Sequence, residues 1–432
     1  MTQIAADQAW PAELDRTPAL RRENVTMEAG RGLGTSGLML VLGAIGLAAT
    51  AAGGFFLGNA RQALAAYLMG LAVVTGLSLG GLFFTMVFHL TQAGWSVTIR
   101  RQFENLASMV VPCFVLFLVF MAIELAGGGI LSSWLVSDVA QEEQHLLHPK
   151  AIFLNVPFVV IRSLIYFGVW AFLATRLRGL SLAQDRTGDK WLTNKARFTS
   201  SWGMLVFALS VAFFAFDWLM ALTDFRFFST MWGVYFFAGC AFSSVPLIVI
   251  ILNSLLRAGK LKGAVTHEHF HDLGKFMFGF TVFWAYIAFS QYFLIWYSNI
   301  PEETAFYNAR NVGVWHGLSL VLGLGHFVVP FYILLWKVIR RTPALLALVA
   351  VYMLVLHVAD IYWIIRPSVT FTEPGHVPVF ADIASRLWID LAGILGVMLL
   401  WGGLLVRVIV KVPLVPLHDP RMSEALHHRN YV

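Results

Sequence analysis

The chain has 432 residues, of which 58% are apolar and only 12% charged, and its mean hydropathy is +0.73. Soluble domains carry about twice that share of charge, so most of the outer face must meet lipid. A soluble enzyme is excluded, and the net charge of +6 bears on membrane topology rather than on nucleic-acid partners.

Residues 1–34 are polar and carry Arg16, Arg21, Arg22 and Arg31. The apolar run that follows is longer than the core of a signal peptide and shows no cleavage site, which predicts a retained helix. Crossing roughly 30 Å of hydrocarbon takes about 20 mainly apolar residues. Runs of this kind fall at 35–57, 64–89, 106–126, 152–174 and 200–222, then at 231–256, 274–297, 313–336, 344–365 and 388–409. Barrel-type alternation is missing, so these are helices. The expectation is an all-α membrane protein with a segment 1–34, a ten-helix domain 35–410 and a tail 411–432.

Alternate loops differ sharply in charge. Twenty-two Lys and Arg lie in the N-terminal segment, in 90–105, 175–199, 257–273 and 337–343, and from Arg407 onward. Six lie in 58–63, 127–151, 223–230, 298–312 and 366–387. The positive-inside rule then places both termini in the cytoplasm. The outer loops are polar or acidic (Asp138, Glu142, Glu143, Glu302, Glu303), and the 366–387 loop, with Pro367, Pro374 and Pro378, reads as a lid or docking surface.

Cys113 and Cys240 both sit inside apolar runs. Neither a C-x-x-C-H nor a cysteine cluster is present, so redox metal chemistry is expected in partner subunits, with no cofactor held here covalently or by metal ligands. Gly76-x-x-x-Gly80 and Gly313-x-x-x-Gly317 match a close-packing pattern, and Pro112, Pro157, Pro246 and Pro330 are expected to disturb their helices. Phe103-Glu-Asn-Leu106 resembles Phe270-His-Asp-Leu273, and Asp217-Trp218 resembles Asp360 with Trp363. That faint repeat suggests two four-helix bundles, helices 2–5 and 6–9, flanked by helices 1 and 10.

An ionisable side chain at mid-membrane costs about 2.5–3.5 kcal/mol on insertion scales, so each asks for a partner or a role. The apolar runs hold Glu124, Arg162, Asp217, His316, His326, His357, Asp360, Arg386 and Asp390, with His89 and Lys275 towards the cytoplasmic ends. His357 and Asp360 share a helix face at i,i+3, and Arg386 and Asp390 are spaced i,i+4. A salt-bridge scaffold, for example Arg162 with Asp217 or Glu124 and Arg386 with Asp390, is one reading. Proton handling is the other, because low-dielectric surroundings can bring carboxylates and imidazoles towards neutral titration. The candidates for a relay are Asp217, His326, His357 and Asp360, with Arg162 tuning them and Glu124, Asp390 and Tyr292 as further members. Tyr286, Ser290 and Gln291 could join through water. A pocket with such donors would also suit a quinone head group. His326 with His357 is the one pair suited to haem b, and the acid beside His357 weighs against it.

The stretch His271-Asp-Leu-Gly-Lys275, Phe283-Trp-Ala-Tyr-Ile-Ala-Phe-Ser-Gln-Tyr292 and Ile295-Trp-Tyr-Ser-Asn-Ile-Pro-Glu-Glu-Thr304 resembles the F subunits of bacterial alternative complex III. Those are similar to the membrane subunit of polysulfide reductase, the NrfD-like family, and the ten-helix layout agrees. The resemblance implies a bacterial inner-membrane subunit of a quinol:cytochrome c oxidoreductase. Iron–sulfur and c-haem subunits would carry electrons to a periplasmic acceptor, and a second NrfD-like subunit would be the better candidate for quinol oxidation. This subunit would contribute a proton path and a quinone-facing cleft. A secondary transporter with a midplane site of buried His and Asp residues is the alternative.

Overall fold

The computed structural model describes residues 12–28, 30–135, 148–221, 227–369 and 378–430. Among these, ten helices are long and apolar enough to cross a membrane: α1 Leu33–Phe56, α2 Ala60–Leu90, α3 Gly94–Ala126, α4 Val156–Thr187, α5 Trp191–Met220, α6 Trp232–Arg257, α7 His267–Ser298, α8 Gly313–Leu335, α9 Pro343–Val369 and α10 Leu387–Val410. No strand occurs among the described residues, which hold a single isolated bridge between Lys262 and Val265. Asp138, Glu142, Glu143 and Pro374 of the outer loops lie outside the described residues, as does the side chain of Glu302.

Several helices outrun their apolar segments at one end, and in α3, α4 and α7 the added turns carry ion pairs. Hydropathy ends a run at the first charges, whereas a helix continues as long as those charges find partners. In α3, residues 97–107 are all buried although they include Arg100, Arg101 and Glu104. Likewise α4 continues to Thr187, stopping at Gly188, which takes the left-handed conformation (φ +67°) that a C-cap favours. At its start Asn155 Oδ1 accepts the Phe158 N–H at 3.0 Å and Pro157 fills the first turn. Thr266 and His269 cap α7 reciprocally.

Helix α2 is the hub of the packing. It contacts α3, α5, α6, α9 and α10, and 89% of its apolar window is buried, against 22% in α1 and α8. Gly80 lets α2 and α6 meet, since a Cβ there would overlap the Cys240 carbonyl oxygen. The other expected glycine motif does not pack: Gly317 has open space around it, and Gly313 (φ +53°) opens α8. Helices α1 and α10 lie against each other and against α2. A Cβ on Gly43 would stand 2.7 Å from the Leu400 nitrogen, and one on Gly46 2.8 Å from the Ala392 carbonyl oxygen. Further contacts join α3 to α4, α4 to α5, α6 to α7 and α9, and α7 to α8.

The described part of the N-terminal segment and the C-terminal tail meet at one end of the bundle. Leu414 N–H donates to the Val25 carbonyl at 2.7 Å, Leu261 N–H to the Asn24 carbonyl at 2.9 Å, and Leu417 N–H to Asp185 Oδ1 at 2.8 Å. The connections carrying most of the Lys and Arg gather there too.

Candidate functional site

Helices α8 and α9 bring His326, His357 and Asp360 together, with one donor atom from each within 4.8 Å of the others. All three side chains are buried. Thirteen residues separate His326 from the start of α8 and fourteen separate His357 from the start of α9. At 1.5 Å per residue, both lie roughly 20 Å from their helix starts, at mid-depth.

Local sequence explains the juxtaposition. Pro330 has no N–H to give to the carbonyl four residues back, that of His326, and the chain over Leu322–Val328 widens into a π turn. Such bulges recur at functional sites. Gly325 sits where a Cβ would be 2.6 Å from Leu356 Cδ1, which allows α8 to approach α9, and Tyr352 on α9 donates to the Gly325 carbonyl at 2.9 Å. On α6, Gly239 makes room for the His357 ring, since a Cβ there would be 2.9 Å from its Cε1.

Asp360 accepts the Tyr235 hydroxyl at 2.5 Å on one oxygen and the Trp284 indole N–H at 3.2 Å on the other. The histidines are bound differently. Among the described residues, both ring nitrogens of His326 and Nδ1 of His357 are buried with no hydrogen-bond partner, although nearly all buried polar atoms have one. Phe242 stacks on His326 at 4.2 Å between ring centroids, and Trp284 lies 3.9 Å away.

The remaining relay candidates are placed elsewhere. Asp217 is held by Arg162 on both oxygens, Nε to Oδ2 at 3.1 Å and Nη2 to Oδ1 at 2.7 Å, and it also accepts the Tyr166 hydroxyl at 2.9 Å. A π turn over Phe216–Met220 aims Asp217 inward. Glu124 makes no contact with Arg162; it accepts the backbone N–H groups of Leu131 and Ser132 and so fastens the loop after α3. Asp390 pairs with Arg366 of α9, Nε to Oδ2 at 2.9 Å, and accepts from Tyr362 and Gln62. The expected partner, Arg386, turns instead to Asn59 at 2.9 Å, because it precedes α10 with φ −121° rather than lying on its face. Tyr292 is partly exposed and meets the Tyr307 ring edge-on. Of its neighbours, Gln291 donates to the Tyr307 hydroxyl at 3.0 Å, while Tyr286 faces outward.

Polar groups continue from Asp360 towards the end opposite the termini. Ser229 donates to Gln291 at 3.4 Å, Gln291 to Tyr307, and Asp360 lies within electrostatic range of Tyr307. Burial raises the Tyr307 hydroxyl above its usual range, with Gln291 and Arg310 opposing. An apolar cleft of about 150 Å³ between α2, α5 and α6, lined by Phe83, Phe207, Val234 and Phe237 among others, offers no hydrogen-bonding side chain for a quinone carbonyl.

Sequence reasoning missed Tyr235 and Trp284, whose aromatic character inside apolar runs gave no distinguishing signal. It also missed the ion network at the termini end. Arg100 bonds Asp419 at 2.6 Å and Glu104 at 3.3 Å, and Arg101 bonds Asp185 at 2.7 Å and Glu104 at 2.9 Å, all of them buried. Here the Arg100-Arg101-x-x-Glu104 spacing was a usable signal.

No known family model matches the chain, and no curated protein matches it either.

Proposed function

We propose that this chain is an integral subunit of a quinol-oxidising respiratory complex in a bacterial inner membrane, contributing a proton path. The observation that carries proton handling is the mid-depth group His326–His357–Asp360, whose unpartnered ring nitrogens and oriented carboxylate can accept and pass protons. The ladder Tyr235, Tyr307, Gln291 and Ser229 supports an exit from it towards the outer side. The quinol-oxidising setting rests on the resemblance over residues 271–304. It brings iron–sulfur and c-haem partners, a second NrfD-like subunit and the quinone pool, with cytochrome c or a similar acceptor outside. The apolar cleft at Phe83 and Phe207 suits a quinone's isoprenoid tail.

In this reading helices α2–α5 and α6–α9 are two related four-helix bundles with both termini in the cytoplasm. The burial of Phe103 and Leu106 in α3 and of Phe270 and Leu273 in α7 supports the repeat. So does the placing of one buried aspartate in each half, Asp217 in α5 and Asp360 in α9. Asp217, saturated by Arg162 and Tyr166, is assigned to the scaffold rather than to the relay.

The test is Asp360→Asn in the complex purified in mild detergent and reconstituted in vesicles. The reading expects haem- and iron–sulfur-bearing subunits to co-purify, and proton release per quinol to fall. Unaltered proton release with Asp360→Asn would overturn the relay. A chain that purifies alone and takes up a solute would favour the transporter with a midplane site, which the position of the cluster also suits.

A further inference from the structure

The same three side chains have the composition of a transition-metal site. Two imidazoles and one carboxylate, all uncharged or singly charged N and O donors, match zinc-type first-row ions rather than calcium or magnesium, which favour oxygen alone. The donor atoms lie within 4.8 Å of one another. Ligands ~2.1 Å from a tetrahedral ion stand ~3.4 Å apart, so the widest pair closes if each side chain moves by ~0.7 Å.

Two further observations point the same way. The buried, unpartnered nitrogens of His326 and His357 are lone pairs and N–H groups that the protein itself leaves unused. Asp360 is already oriented by Tyr235 and Trp284, each on a different oxygen, the outer-shell support that metal-ligating carboxylates and histidines usually have. Each oxygen keeps a second lone pair for an ion. With three protein ligands the fourth position stays open, and an anion there, such as hydroxide from a bound water, would neutralise the charge left by one carboxylate against a divalent ion.

We propose that His326, His357 and Asp360 form a binding site for a divalent transition-metal ion of the zinc class, held within the membrane between α8 and α9. Ion binding requires the histidines in their neutral form, so metal and protons compete for the site. The metal reading uses the same side chains as the proton path but does not rest on it, and the experiment lets the two fail separately.

The experiment uses the full chain in detergent, stripped with EDTA and titrated with Co²⁺, read by its visible absorption, with bound Zn²⁺ then measured per chain by elemental analysis. Wild type is expected to take up about one ion with an intense tetrahedral Co²⁺ spectrum that Zn²⁺ displaces. His326→Leu and His357→Leu are expected to abolish it, and Tyr235→Phe to weaken affinity by about 10- to 100-fold. His316→Ala, exposed at the outer end of α8, should bind as wild type does. Should a leucine variant fail to fold, Tyr235→Phe and Zn²⁺-dependent protection of wild type against thermal unfolding decide the matter. No tetrahedral spectrum in wild type, or one unaffected by the histidine and tyrosine variants, overturns the proposal. Loss of proton release in Asp360→Asn without any Co²⁺ spectrum in wild type would retain the relay and reject the metal.

Discussion

Replacing Asp217 by Asn removes one charge from a pair whose side chains are 9% exposed at Arg162 and fully buried at Asp217. The amide preserves shape and one acceptor oxygen, so what changes is mainly the electrostatics. Arg162 then keeps its charge against neutral groups alone, the remaining amide oxygen, the Phe153 carbonyl at 2.9 Å and the faces of Phe153 and Phe158, whose centroids lie 3.8 and 4.3 Å away. Cation–π contacts contribute about 2 kcal/mol each at best, whereas stranding one partner of a buried ion pair costs about 3–5 kcal/mol. The expected net loss for Asp217→Asn is ~3 kcal/mol. Arg162→Met combined with Asp217→Leu removes both charges and fills similar volume, and should recover most of that loss. Reversible unfolding in mixed micelles, followed by tryptophan fluorescence for wild type, both single variants and the double variant, gives the coupling energy. Additive single effects, with coupling under about 0.5 kcal/mol, would refute the pair as the determinant of stability at this end of α4 and α5.

Three further outcomes follow from packing and pairing. Gly80→Leu should abolish folded, monodisperse protein on size-exclusion chromatography, since its Cβ meets the Cys240 backbone, while Gly317→Ala should change stability by less than about 0.5 kcal/mol. Asp390→Asn should destabilise measurably by weakening its buried ion pair with Arg366, whereas Arg386→Ala should shift the unfolding midpoint very little; equal effects would argue against the Arg366 pairing. Glu124→Gln should cost about 1.5–3 kcal/mol by weakening charge-assisted bonds to Leu131 and Ser132, and should speed limited proteolysis of the loop after α3.

The ten helices were legible because lipid imposes a length and a composition that no soluble core requires, and each apolar run appears with its ends shifted. The shift at residues 97–107 arises because charge there is buried with a partner, and a hydropathy window reads that as a boundary. The Arg162–Asp217 pair was legible as opposite charges in neighbouring apolar helices. Likewise His357 and Asp360 were legible as one face from their i,i+3 spacing. His326 was legible as the partner of His357, whereas how closely it approaches was not, because α8 and α9 run from opposite ends and the Gly325 approach and the π turn fix their relative depth. The same limit hid Arg366 as the partner of Asp390: the i,i+4 spacing that pointed to Arg386 holds only within a helix, and Arg386 stands just outside one.

The ion network at the termini end has a consequence for biogenesis. Arg100 lies in the third helix to enter the membrane, but one of its acidic partners, Asp419, is made only after all ten helices. The Val25 carbonyl likewise waits for the Leu414 N–H and Asp185 Oδ1 for the Leu417 N–H. Throughout translation the ends of α3 and α4 on the termini side are therefore electrostatically unfinished, and the tail acts as a keystone that closes them. A chain released before residue 414 would present buried arginine with only part of its acidic complement, a defect that membrane quality control can sense as local opening at a single, defined end.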